Sequence, residues 1–260
     1  MAIALSSIFA AKKPIIGMVH LPASPGQAQA KSQPDLKQVI ASVRADVVAL
    51  QDGGIDGLLF CNESDLPYTT KLSSEVGAWT NFLIGALYDQ IKIPYGVNLL
   101  WDPIASIEAA AGCGASFVRE VMCGSFVSEM GPLTPNPALI AQTRTRLRAE
   151  HIALFTNIVP EFASASEARS VEQRAKAAEY FGFDAILTRP VTGKNLLMED
   201  EFGYKGREGD AFIKLYRDEV DMSLPFAASE EFSIVNTTPI YSEDFRGVET
   251  VDLYRGGDIA

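Results

Sequence analysis

PIIGMVHLPASPG, residues 14–26, is the stretch from which the rest of the chain can be read. An apolar run from Pro14 to Val19 stops at His20, and a loop bearing proline and glycine follows. A short, continuously apolar run bounded by turn residues fits a strand buried on both faces. Such strands belong to parallel sheets covered by helices, where the C-terminal strand ends carry the chemistry. On that reading the strand delivers His20 to a working face.

The segments downstream repeat the pattern. Residues 36–54 carry Val39, Val43, Val47 and Leu50 at helical spacing and end on glycines, predicting a helix. Strands are expected at 55–63, 93–101, 115–123, 152–159 and 183–190, with helices at 73–92, 103–114, 138–151 and 170–182 between them. Residues 124–137 read as a longer loop. A helix at 210–220, a seventh strand at 222–228 and an eighth at 248–254 complete the count, although the regularity fades after residue 228. Eight strands alternating with helices predict an α/β fold of the (β/α)8 TIM-barrel type, a single domain over 1–260, with no room for a helix after the last strand. An open dinucleotide-binding sheet is disfavoured, because no strand leads into GxGxxG and no GxxxxGK[ST] occurs.

Composition narrows the function classes. The 260 residues are 47% apolar and 21% charged, with a net charge of -11. That balance disfavours nucleic acid and anionic membrane surfaces as partners, while leaving small ligands open. Three cysteines without CxxC spacing and only two histidines argue against structural zinc. The N-terminal stretch MAIALSSIFAAKK lacks a basic region ahead of its apolar residues, so it does not read as a signal peptide. No apolar run approaches the roughly 20 residues that span a bilayer. A cytoplasmic protein without membrane insertion is expected, self-associating as a homo-oligomer over any flank left uncovered at the last strand.

The strand ends supply the candidate site. His20, Asn98 and Arg119 are the candidate catalytic residues: an imidazole that titrates in the useful range, an amide that breaks an apolar run, and a cation. Asn62, Asp65, Asn157 and Thr188 are candidate substrate-binding residues at the ends of the second, fifth and sixth strands. Arg119 and Glu120 are adjacent, so strand alternation allows only one of them to face inward; Glu120 is assigned to a salt bridge with a neighbouring helix. Asp102 before Pro103 reads as a helix N-cap. A divalent metal held by Glu63, Asp102 and Glu120 is the less favoured reading, so no metal is assigned and the cofactor is left unknown.

Four motifs carry a family resemblance. Gly17, Met18, His20, Leu21, Pro22, Pro25 and Gly26 match a G-M-x-H-L-P-x-x-P-G pattern, and Asn62, Asp65 and Pro67 match N-x-x-D-x-P. Gly96, Val97 and Asn98 match G-V-N, and Gly114, Ala115, Phe117, Val118 and Arg119 match G-A-x-F-[IV]-R. In these motifs the chain resembles the BtpA/SgcQ family of TIM-barrel proteins. The second half departs from it. Asn157 and then PEF stand where the family has an acidic residue and a Lys-His pair, Arg189 replaces a glycine, and AASEE (227–231) replaces a glycine-rich turn. Thr188, Thr192 and Gly193 fit. The resemblance implies the fold and part of a site. One branch is linked to biogenesis of photosystem I reaction-centre proteins, another to sugar-utilisation genes. Two functions stay open: an acid/base enzyme acting on a small carbohydrate- or nucleoside-like metabolite, and a non-catalytic assembly factor on a degenerate barrel.

Overall fold

The computed structural model describes residues 3–11, 14–158, 160, 162–188, 233–242 and 245–255. In chain order its elements are β1 (Ile16–His20), α1 (Leu36–Asp52), β2 (Gly57–Cys61), α2 (Ser74–Leu87), β3 (Tyr95–Asn98), α3 (Pro103–Cys113), β4 (Phe117–Glu120), β5 (Phe126–Ser128), β6 (Gly131–Leu133), α4 (Pro137–Arg146), β7 (Ala153–Asn157), β8 (Ala163–Ala165), α5 (Val171–Tyr180), β9 (Ala185–Thr188), β10 (Ser233–Ser242) and β11 (Phe245–Arg255). Eight of the strands close a barrel in the order β1-β11-β10-β9-β7-β4-β3-β2. Six expected strands, from the first to the one at 183–190, are present where the apolar runs put them.

The closure differs from a regular (β/α)8 barrel. β10 runs parallel to β9, but β11 pairs antiparallel with β10 and again with β1, through Ile16↔Glu249 and Gly17↔Val248. The expected eighth strand at 248–254 therefore exists inside β11 with its direction reversed. A hairpin brings it back directly, which antiparallel neighbours permit and parallel ones do not. The expected strand at 222–228, the helix at 210–220 and the Thr192–Gly193 turn lie outside the described residues.

Local chemistry explains the helix boundaries. Asp35, Asp102 and Asn136 each cap a helix by accepting two backbone N–H groups, and Pro103 and Pro137 take the first helical position. Ser170 and Gln173 form a reciprocal capping box on α5. α3 ends at Gly114, whose φ of 78° suits a residue without a Cβ. No helix among the described residues is long and apolar enough to cross a membrane.

Strand alternation splits the core in two. Val19, Leu58, Phe60, Val97, Val118 and Leu154 face outward and pack with the helices. Ile16, Met18, Leu59, Phe117, Phe155 and Leu187 fill the barrel. Phe117 stacks on Phe155 at 4.9 Å, and the edge of Phe9 meets Phe117 at 5.6 Å. The N-terminal segment thus enters the barrel interior with Leu5 and Phe9, and Ile3 N–H donates to Asp184 at 2.6 Å. Gly96 leaves space for this layer, since a Cβ there would lie 2.3 Å from the Phe117 ring. Gly96→Ala is expected to cost about 1–3 kcal/mol through overpacking, read by chemical denaturation; an unchanged midpoint would show that the layer yields freely.

The stretch read as a long loop at 124–137 is partly ordered as strands. β5 pairs with β6 and, across the chain, with β8, forming a separate sheet in the order β6-β5-β8. Phe126 and Leu133 pack with the barrel-interior residues, and this anchors the sheet at the mouth. The hairpin escaped the sequence reading because its strands are three residues long and carry no sustained alternation.

Candidate functional site

Register brings the strand-end residues to one level. His20 pairs with Cys61, Cys61 with Asn98, and Val97 with Val118, which sets Arg119 beside Asn98. Asn98 is buried and is the hub. Its Nδ2 donates to Glu120 Oε1 at 2.7 Å, and its Oδ1 accepts from Arg119 Nη1 at 3.4 Å. The Cys61 thiol lies 3.8 Å from the same oxygen and 3.7 Å from Glu63 Oε2. Asn98, Arg119 and Glu120 line a cleft of about 50 Å³ together with Glu63, Trp101, Asn157, Phe162 and neighbouring apolar side chains.

Glu120 corrects the sequence reading. Alternation along β4 should turn it toward a helix once Arg119 faces inward. At the strand end its carboxyl instead bends back, accepting from Asn98 and from the Val121 N–H at 3.1 Å. Arg119 and Glu120 therefore both reach the cleft. Burial pushes the Glu120 carboxyl up to about 8, opposed by its backbone hydrogen bond, the Arg119 charge and Asn98, and aided by Asp102. A carboxyl that titrates near neutrality inside a cleft is equipped to give and take a proton.

The other candidates fall into three positions. Asn157 ends β7 and lines the cleft. Thr188 ends β9 and pairs in register with Asn236. Asn62 and Asp65 sit to the side of the cleft lining, in a buried brace. Asn62 Oδ1 accepts from Leu100 N–H at 2.7 Å and its Nδ2 donates to Asp65 at 3.1 Å, while Asp65 accepts from the Ser24 N–H and hydroxyl at 2.6 and 2.9 Å. This network ties the loops after β1, β2 and β3 together. Asp65→Ala leaves a buried N–H, a hydroxyl and an amide unsatisfied, so a loss of about 2–4 kcal/mol is expected in a denaturation midpoint; a near-neutral result would mean that the loops are held otherwise.

His20 is half-buried at the end of β1 and is not part of the cleft lining. Burial lowers its pKa, while the charges of Glu63 and of Asp46 on α1 pull it upward. Asp102 caps α3 and also accepts from the Leu72 N–H. Among the described residues no group of three or more His, Cys, Asp or Glu side chains is placed to hold a metal ion.

A family model for the BtpA family matches residues 11–200. The chain belongs to the BtpA family. A protein of Escherichia coli K12 named for the sgc region, SgcQ, is 39% identical over 159 residues, covering 61% of this chain and 59% of that protein. The photosystem I biogenesis protein BtpA of Synechocystis is 27% identical over 162 residues, covering 61% and 55%. An uncharacterised protein of Pyrococcus horikoshii is 31% identical over 137 residues, covering 52% of each. The chain thus spans between about half and three fifths of the length of these relatives. Among solved structures, a Xanthomonas albilineans dihydropteroate synthase aligns with a TM-score of 0.43 at 17% identity, covering 70% of this chain and 61% of that one. An L-ribulose 3-epimerase aligns with a TM-score of 0.40 at 12% identity, covering 68% and 61%. Neither likeness bears on the chemistry of this BtpA-family cleft.

Within that frame, Gly96 and Asn98 of the G-V-N motif have separate duties. The glycine admits the Phe117 ring and the asparagine holds the two charged groups of β4. Glu120, one residue past the last family motif, was visible in the sequence as a carboxylate at a strand end. Alternation pointed it the wrong way.

Proposed function

We propose that this BtpA-family barrel is an enzyme that uses acid/base chemistry on a small polar, carbohydrate- or nucleoside-like molecule at the C-terminal face. The observation that carries the reading is the buried Glu120 carboxyl, poised near 8 and held 2.7 Å from Asn98 in a cleft shared with Arg119. Glu120 transfers the proton, and Arg119 stabilises negative charge that develops on the substrate. Asn98 fixes both groups, and Asn157, which lines the cleft, contacts a hydroxyl. Asn62 and Asp65 hold the loops that frame the mouth. His20 stands at the end of β1, beside the cleft lining, where the Glu63 charge favours its protonated form. Lyase, isomerase and hydrolase chemistry fit this set equally well.

The assembly-factor reading draws support from one feature: the enclosed space is small, about 50 Å³, and the β6-β5-β8 sheet packs at the mouth. A thermal-shift screen with sugars, sugar phosphates, nucleosides and nucleotides, each with and without Mg²⁺, separates the two. A ligand at 100 times its Kd adds about 2.7 kcal/mol of apparent stability. The enzyme reading expects a shift in the parent that is absent in Asn98→Ala. A well-folded parent that shifts with nothing in the panel would overturn it.

A further inference from the structure

The two tryptophans are treated differently by the fold. Trp79 Nε1 donates to the Pro22 carbonyl at 3.1 Å. Trp101, 7% exposed, has a buried indole Nε1 with no acceptor among the described residues. A buried donor without a partner is uncommon in a native protein and asks for an explanation at that site. Trp101 lines the same small cleft as Glu63, Arg119 and Glu120. Tyr68 and Phe162 meet the indole edge-on, with ring centres at 6.4 and 6.1 Å, which fixes its plane.

An indole N–H and a guanidinium only donate, and Glu63 presents an acceptor oxygen, Oε2, which takes the Cys61 thiol at 3.7 Å. A group that fits between them needs an oxygen that accepts without bringing a proton, next to a hydroxyl that gives one. We propose that the ligand of this site is a sugar-type 2-hydroxy acid, whose carboxylate accepts from Trp101 Nε1 and Arg119 while its neighbouring hydroxyl donates to Glu63. The ligand reaches the indole edge by displacing Phe162, which is 59% exposed at the rim. This names the substrate class of the acid/base site and rests on that reading.

The test uses the intact protein, with sodium D-glycerate and sodium D-gluconate as probes against glycerol and sorbitol, their carboxylate-free counterparts. Binding is read by thermal shift and by intrinsic fluorescence in a Trp79→Phe background, where Trp101 is the reporter. Trp101→Phe keeps a ring in place and removes the N–H. The expected result is binding of the acids at least about tenfold tighter than of the polyols, weakened about tenfold or more by Trp101→Phe. Equal binding of acid and polyol overturns the inference, as does a folded Trp101→Phe that binds the acids like the parent. If neutral sugars or nucleosides bind in an Asn98-dependent way and the acids do not, the 2-hydroxy-acid inference fails while the small-molecule site survives. If neither panel binds, both fail.

Discussion

Glu120→Gln is expected to flatten the pH dependence of stability and to make the protein more stable than its parent in alkali. In the folded chain the Glu120 carboxyl keeps its proton up to about 8, whereas its ordinary value is 4.5. Between those limits the native state binds one proton more than the unfolded state. Stability is therefore greatest below the ordinary value, falls as pH rises through the window, and levels off once the folded group has ionised. The slope approaches about 1.4 kcal/mol per pH unit for this one group. Glutamine cannot ionise, so that slope vanishes. It also cannot accept from both Asn98 Nδ2 and the Val121 N–H, which costs about 1 kcal/mol at low pH. The two stability curves should cross, with the variant less stable in acid and more stable above the Glu120 titration. Denaturant unfolding at intervals from about pH 5 to 9 decides it. Parallel curves for parent and variant would mean that Glu120 is ionised throughout, and the proposed acid/base role would lose its basis.

The second large effect is expected at the opposite end of the barrel. Phe9 is buried, meets the ring of Phe117 edge-on and sits against Gly57, where a Cβ would fall 2.7 Å from its ring. Phe9→Ala removes that ring from a closed space lined by Phe117 and Phe155, which cannot collapse easily because they are already stacked. A loss of about 3–5 kcal/mol is expected in denaturant unfolding. A loss below about 1 kcal/mol would show that the N-terminal segment is only loosely seated.

The uneven legibility of this sequence has a physical pattern. Continuous apolar runs such as 14–19 and 57–61 announce buried parallel strands because both of their faces are covered, and the aspartate and proline that open α3 announce its start. The final hairpin did not announce itself. Asn236, Thr237, Thr238 and Pro239 interrupt β10, and a proline within a run argues against a strand in the sheet interior. At the site, Asn98 and Arg119 come together because β3 and β4 are neighbours in register. Alternation failed for Glu120, whose carboxyl turns back to accept from Asn98 and from the Val121 N–H. Asn62 and Asp65 show a different ambiguity. A polar pair on a loop beside a site can face the ligand or hold the loop, and only their partners, Leu100 and Ser24, distinguish the two.

The stopper formed by Leu5 and Phe9 under the Phe117–Phe155 stack bears on traffic through the molecule. Among the described residues the base is filled, so the ligand of the proposed enzyme enters and leaves by the mouth. On that proposal a product competes with incoming substrate for the same vacancy, and turnover is set by departure as readily as by proton transfer.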